Sequence, residues 1–494
     1  VFVKKEKTRR KKGRKDEKNT KIAATMMVLA SRKPLIMGIL LLLTGAYRRS
    51  IVIAASSTVS ELRHASYLSS QSTKEDQTGG DSSPQRFRVV QVQIVHRHGD
   101  RSPITPLKNE TFWASELVKP ELLEKVASTT KILRNQEETV HHAAGRGPFG
   151  KLTQLGLLQM VQVGTTLRER LHTDLNDDHN VDEHGNVHHN RGRLFDPCYP
   201  LDTSKVKVFS TDFPRTIQSA QGTLVGLFPD SLKQVEIDAR HTDILIPDPQ
   251  PRRSREQETL ERQLASRSHL VEREQQMREL AIRTTSALRP LLSEDAFQVS
   301  FGVGEEKGSD ATTEPLLSWG QMSEITKCLS VRDMLPPAIT SEMQQEISKY
   351  TAWKWFESLR HPRLAYLAMN GLVARMVESM ERRLRNLNSN DDMEEEAPLH
   401  IYSAHDSTLI GLLCAFHLEQ PAQWPEYASF LSVELLEAKP LLSGDDHQTK
   451  YMVRFSLNGE ILRSKWGGET LDMIPFDQLS HNLATSGADI VHSN

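Results

Sequence analysis

Three short apolar runs in this chain each end directly in a group of reactive side chains. The run from Phe87 to Val95 leads into His96, Arg97, His98, Gly99, Asp100, Arg101, Ser102 and Pro103. The run from Val206 to Phe209 leads into Ser210, Thr211, Asp212, Phe213, Pro214, Arg215 and Thr216. The run from Leu399 to Ser403 leads into Ala404, His405, Asp406, Ser407 and Thr408. Short β-branched runs of this kind are buried strands. The sequence between them reads as helices at 152–171, with Thr153 as cap, at 215–228 and at about 407–416. Strands alternating with helices build an α/β sheet, and in an open sheet sites form beyond the carboxyl ends of the strands. The pattern therefore predicts an α/β fold with a mostly parallel central sheet flanked by helices. Residues 86–237 and 398–480 would be its core, and 481–494 a tail. Residues 238–397, mostly charged helical sequence broken near 247–251 and 302–308, would form an inserted, mainly helical cap subdomain.

The three reactive groups together hold three arginines, two histidines and a carboxylic acid. Arginine forks match the oxygens of a phosphoryl group and neutralise its charge. A histidine among them can attack phosphorus. Gly99 lets the backbone turn sharply after that histidine. An aspartate beside the second histidine can protonate a leaving oxygen.

Arg97-His98-Gly99, Arg101 and Pro103, followed far downstream by His405-Asp406, resemble the acid phosphatase branch of the histidine phosphatase superfamily. The match covers roughly 86–235 and 398–480. Residues 150–156, 215–220, 226–229, 424–428 and 434–435 extend it. The resemblance implies that His98 is the nucleophile and forms a phosphohistidine. It implies that Arg97, Arg101, Arg215 and His405 hold the phosphoryl oxygens. Asp406 would be the general acid and would then assist the hydrolytic water. No metal and no other cofactor is implied, because the arginines supply the positive charge. The pair His405-Asp406 argues against the mutase branch. Within the family the layout is most similar to the lysophosphatidic acid phosphatase type, through 89–92, 102–107 and 468–475. Asp100 departs from that type, which carries a small residue there, and the middle region hardly matches.

The expected activity is a phosphomonoester hydrolase, with lysophosphatidate or a similar phosphomonoester as substrate. A phytase or inositol polyphosphate phosphatase on the same fold is the second reading. It would need many cations around the site, and the body is acidic. A third is an inactive member that binds phosphorylated ligands. The alternative for the six site residues is a purely structural ion network.

Charge is unevenly spread. Residues 1–50 hold 15 lysines and arginines against 3 acidic residues, leaving 47 basic and 61 acidic residues beyond them. A nucleic-acid partner is therefore not expected for the main body. The apolar run at 35–43, with Arg32-Lys33 before it and Thr44, Gly45 and Ala46 after it, has the pattern of a secretory signal. Cleavage is expected; an uncleaved membrane anchor, extended by 51–55, is the rival. Residues 1–21 read as sequence upstream of a start at Met26 or Met27. The expected layout is thus a basic tail with a signal or anchor segment over 1–55 and a polar linker over 56–85. The expected destination is the secretory pathway: secreted, lysosomal or vacuolar, or membrane-anchored, in preference to mitochondria.

Other features receive plainer readings. His96 is a core or supporting histidine. The histidines 172, 179, 184, 188 and 189 fit no zinc spacing and read as a solvated loop. Gly302 and Gly304 stand in no phosphate-cradling motif. Arg252–Arg283 reads as a solvated helix face. Cys414 reads as a buried apolar residue. Pairing of Cys198 with Cys328 is left open, as is the oligomeric state. Asn109-Glu110-Thr111 is the one glycosylation sequon.

Overall fold

The computed structural model describes residues 86–135, 146–172, 194, 202–229, 234–246, 254–298, 315–388, 395–419, 423–439, 450–466 and 471–488. The basic tail, the signal or anchor segment, the linker, histidines 179–189, Cys198 and residues 302–308 lie outside them.

Nine strands form one sheet: β1 (Arg86–Arg97), β2 (Thr130–Leu133), β3 (Val206–Ser210), β4 (Val235–Asp238), β5 (Leu399–Ala404), β6 (Phe430–Lys439), β7 (Lys450–Leu457), β8 (Glu460–Leu462) and β9 (Met473–Pro475). Their order is β2-β4-β3-β5-β1-β6-β7-β8, with β9 also paired to β7. The pairs from β2 to β1 are parallel. The pairs from β1 to β8 are antiparallel. The sheet is thus α/β in character, with an antiparallel extension built from the C-terminal sequence. The three strands that precede the reactive groups stand side by side, as β3, β5 and β1. Arg97 is in register with Ala404, and Ser210 with Ser403.

The principal helices are α1 (Gln154–His172), α2 (Pro214–Leu227), α3 (Arg255–Ala265), α4 (Ser268–Leu288), α5 (Trp319–Ser330), α6 (Ser341–Leu359), α7 (Pro362–Asn388), α8 (Asp406–Ala415) and α9 (Phe476–Ala488). Thr153 caps α1, its Oγ1 accepting from the Gly156 N–H at 3.1 Å. One face of the sheet buries Val92, Ile94, Val208 and Ile401 with α1 and α2. The other buries Val95, Tyr402 and Val433 with α7, α8 and α9. Phe476 and Leu479 tie α9 into that layer, so helix continues past 480. β1 alternates valine and glutamine, yet both of its faces are covered. Gln91 and Gln93 are buried because α7 satisfies them. Gln91 Nε2 donates to Ser379 Oγ at 2.9 Å, and Gln93 Nε2 to the Met376 carbonyl at 2.8 Å.

A third apolar cluster stands apart from the sheet faces. It joins Met277, Met322, Ile325 and Ile347 of α4, α5 and α6 to Leu107, Trp113 and Phe149. The outer helices therefore share a core with the segment that follows β1. Helix α7, in the same stretch of sequence, belongs to the sheet face instead.

Candidate active site

The three reactive groups converge because β1 and β3 both lean on the end of β5. The His98 N–H donates to the Ala404 carbonyl at 3.1 Å, and the Thr211 N–H to the Ser403 carbonyl at 3.1 Å. The turn after His98 is set by a close backbone approach. A Cβ on Gly99 would lie 2.2 Å from the Gly156 carbonyl oxygen, and one on Gly156 would lie 2.0 Å from that of Asp100. Two glycines facing each other let the start of α1 press against the loop beyond β1.

His98 sits at the centre. Its Nδ1 lies 2.8 Å from the Gly99 carbonyl. A carbonyl only accepts, so Nδ1 carries the proton and Nε2 keeps its lone pair. The His405 ring stands edge-on to it, with centroids 5.6 Å apart at 76°. Burial first, then Arg215, Arg97, His405 and Arg101, hold the His98 imidazole well below the usual histidine range. Its neutral, nucleophilic form therefore persists in acid. His405 is likewise pushed far down by burial and then by Arg215. Its Nε2 lies 3.0 Å from Thr211 Oγ1, and Phe213 packs edge-on against the ring.

The three arginines are nearly as buried as the histidine, none more than 4% exposed. Arg97 Nη1 donates to the Pro425 carbonyl at 2.5 Å, and its guanidinium lies 4.1 Å from the centre of the Tyr427 ring. Arg215 lies over Phe213 at 4.6 Å. Burial, and next the charge of Arg101, press the Arg215 guanidinium down to about 9, still charged at neutral pH. Among the described residues, the buried Nε of Arg97 and of Arg101 have no hydrogen-bond partner. Crowded, desolvated cations with spare donors form a receptor for an anion.

Asp406 begins α8. Its Oδ2 takes a 2.7 Å ion pair from Arg97 Nη2 and a 2.9 Å hydrogen bond from the Trp424 indole N–H. Burial raises the pKa of this carboxyl, but Arg97, Trp424 and His405 outweigh it and hold the group below the usual aspartate range.

His98, Arg97, Arg101, Arg215, His405 and Asp406 thus meet in one place. His96 is fully buried in β1, and burial pushes its imidazole down to about 4. Cys414 is buried as well. Two groups were not read from the sequence. Glu324 of α5 grips Arg101, its Oε2 2.6 Å from Nη1. Arg332 pairs with the fully buried Asp100 at 2.8 Å and with Glu116 at 2.8 Å. A signal for Glu324 existed: it is a lone carboxylate between Met322, Ile325 and Cys328, on the apolar side of its helix.

The sequence profile of the histidine phosphatase superfamily (branch 2) matches residues 88–458. The chain belongs to that family. Among curated relatives, Counting factor 60 of Dictyostelium discoideum is 24% identical over 389 residues, 75% of this chain and 79% of that protein. The human Lysophosphatidic acid phosphatase type 6 is 23% identical over 368 residues, 71% of this chain and 74% of that protein. The human Lysosomal acid phosphatase is 30% identical over 147 residues, 30% of this chain and 23% of that protein. The solved phytase of Citrobacter braakii superposes with a TM-score of 0.51 at 16% identity, over 82% of this chain and 100% of that one, a likeness of fold. Among the described residues of this family member, no three His, Cys, Asp or Glu side chains group where they could hold a metal ion. No described helix is long and apolar enough to cross a membrane.

Proposed function

We propose that the chain is an acid phosphatase that hydrolyses phosphomonoesters through a phosphohistidine on His98. The observation that carries this is the His98 ring itself: Nδ1–H is tied to the Gly99 carbonyl, and Nε2 is left bare among three buried arginines. Arg97, Arg101, Arg215 and His405 hold the phosphoryl oxygens and neutralise their charge as it spreads in the transition state. Nε2 attacks phosphorus. The bond from phosphorus to the ester oxygen breaks, and its electron pair leaves with that oxygen. Asp406, protonated in the substrate complex, gives the oxygen its proton. A water then attacks the phosphohistidine and loses a proton to the Asp406 carboxylate. The bond from Nε2 to phosphorus breaks, phosphate leaves, and Nε2 regains its lone pair.

A single phosphoryl group with an organic remainder is the substrate class. Two of the three arginines already face a carboxylate, Asp406 on Arg97 and Glu324 on Arg101. Aromatic side chains, Phe213, Trp424 and Tyr427, stand around the rest. That surrounding suits one phosphate beside an apolar group better than the many phosphates of an inositol polyphosphate. Lysophosphatidate fits the description, and helices α4 to α6 are the cap over its approach. The signal-like N-terminus supports the secretory pathway as destination, with membrane association through the same segment. The experiment is phosphate release at acid pH from lysophosphatidate, inositol hexakisphosphate and a sugar phosphate, by the wild type and by His98→Ala. Hydrolysis of none of them would leave only a phosphate-binding protein. Preference for the inositol phosphate would replace the substrate class.

A further inference from the structure

The loop beyond β1 is gripped from outside the sheet by one stripe of side chains. Glu324, Cys328 and Arg332 follow each other four residues apart, along α5 and the turn that ends it, so they lie on one face. Glu324 Oε2 holds Arg101 Nη1 at 2.6 Å and accepts from the Ile104 N–H at 3.0 Å; its Oε1 accepts from the Thr105 N–H at 2.8 Å. The Cys328 thiol donates to the Arg101 carbonyl at 3.3 Å. Arg332 Nη2 donates to Asp100 Oδ2 at 2.8 Å. These contacts all land on residues 100–105; Arg332 also pairs with Glu116 at 2.8 Å, and the Cys328 sulfur lies 3.5 Å from Tyr427 Oη. The Glu324 carboxylate is buried and, among the described residues, accepts only from this loop, so its negative charge is wholly committed to it.

We propose that Glu324 is a positioning residue of the phosphoryl clamp, acting through Arg101. The proposal rests on the phosphatase reading above. Arg101 stands just beyond the strand on a flexible side chain, and a guanidinium can present several edges. Glu324 takes Nη1, and the Ser102 carbonyl takes the same nitrogen at 3.1 Å. That fixes the plane of the fork and leaves the buried Nε edge for a phosphoryl oxygen. The same carboxylate fixes the backbone at 104 and 105, so head and base of the arginine are set by one group. The outer helices are then part of the catalytic clamp, because α5 carries the residue that aims it.

Two effects of removing Glu324 oppose each other. Losing a negative charge beside Arg101 strengthens the attraction for any anion. Losing the grip misaims the fork. Misplacement of about 1 Å can cost roughly 10²-fold in rate, and it acts most on the transition state. The positioning role therefore predicts a specific split.

The test compares wild type, Glu324→Ala, Glu324→Gln, Arg101→Ala and Arg101→Ala/Glu324→Ala, with p-nitrophenyl phosphate as substrate. Inhibition is measured with vanadate, which mimics the five-coordinate phosphorus, and with inorganic phosphate. Glu324→Ala should lower kcat/KM by roughly 10²-fold and weaken vanadate far more than phosphate. Glu324→Gln keeps an oxygen for the backbone or the guanidinium and should recover most of that loss. In the Arg101→Ala background, removing Glu324 should add less than about threefold, since residues acting as one unit are not additive. If Glu324 were only structural, thermal stability and the fraction of active enzyme would drop while KM and both inhibition constants stayed put; that result overturns the proposal. Full additivity with Arg101→Ala overturns it too. A wild type that neither turns over substrate nor binds vanadate would instead defeat the phosphatase reading, and the inference with it.

Discussion

Arg97 Nη2 and Asp406 Oδ2 are 2.7 Å apart, although 308 residues separate them in the chain. They meet because β1 and β5 are parallel neighbours whose carboxyl ends are in register. In the mechanism proposed above, the contact would couple phosphate binding to proton delivery. By itself, the Arg97 pair keeps Asp406 ionised and unable to act as an acid. A phosphomonoester dianion engages Arg97 and adds negative charge nearby, and both changes raise the affinity of Asp406 for a proton. On that mechanism the acid would be armed when the substrate is seated.

Asp406→Asn should therefore act differently on different leaving groups. An alkoxide leaves badly without a proton, whereas p-nitrophenolate delocalises its charge and needs little help. General acid catalysis is typically worth about 10²–10⁴-fold, and the variant should lose about that much on an alkyl phosphate and far less on p-nitrophenyl phosphate. The decline of kcat toward high pH on the alkyl substrate, which reports the Asp406 proton, should vanish as well. Pre-steady-state bursts must accompany the assay, because slow dephosphorylation of His98 can mask the first step. Equal losses in the phosphorylation rate on both substrates would remove Asp406 from the acid role.

Covalent trapping addresses His98 directly. Acid quenching itself destroys a phosphohistidine, so brief denaturation at alkaline pH during turnover should preserve label that later acid treatment releases. His98→Ala should carry none and should lose turnover while keeping its fold. Label on a serine or an aspartate would redirect the mechanism to another nucleophile.

The sheet and the six clustered residues were legible because each signal is local. A β-branched run followed by Arg97-His98-Gly99 is strand and site in one stretch, and β5 with His405-Asp406 repeats the logic. The clamp of Glu324 on Arg101 was not legible. It spans 223 residues between two segments, and a glutamate in a charged helical region resembles solvated surface. Only its placement among Met322, Ile325 and Cys328 hinted otherwise. The antiparallel extension is not legible for a related reason. β6 pairs with β1 and β7 with β6, and the β1–β6 register is set by long-range contact rather than by a turn motif. Helix α7 was grouped with the outer helices because charge dominates its sequence. Its buried stripe of Leu372, Met376 and Met380 puts it on the sheet.

The sequon at Asn109 offers a test of the secretory route. Asn109 is exposed and caps the helix Glu110–Glu116, its Oδ1 accepting from the Phe112 N–H at 3.2 Å. A glycan attaches to Nδ2, so the cap survives modification. The chain expressed in a eukaryotic secretory host should carry one glycan there, removable by an amide-cleaving glycosidase and absent in Asn109→Gln. A full-length product with no mobility shift after glycosidase treatment would argue that the chain never entered the secretory lumen.

Stability should fall in mild acid, before the carboxylates titrate, and His96 shows why. In the unfolded chain its imidazole takes a proton as pH drops through about 6.5. In the fold, burial holds it neutral down to about 4, with only the Arg97 carbonyl at 3.2 Å in its favour. The folded pKa is depressed, so the unfolded state binds the extra proton and gains stability as pH falls between those values. One such histidine contributes about 3 kcal/mol across that window. His98 and His405 act in the same direction. Urea unfolding of the wild type should lose stability steadily from pH 7 to pH 4.5. His96→Gln should flatten the slope, whatever its effect at pH 7. Inorganic phosphate should restore part of the loss by binding the folded site alone, and should do so less well in Arg97→Ala. An unchanged slope in His96→Gln would mean that the acid sensitivity comes from other groups, and His98 and His405, inside the clamp itself, would be the next to substitute.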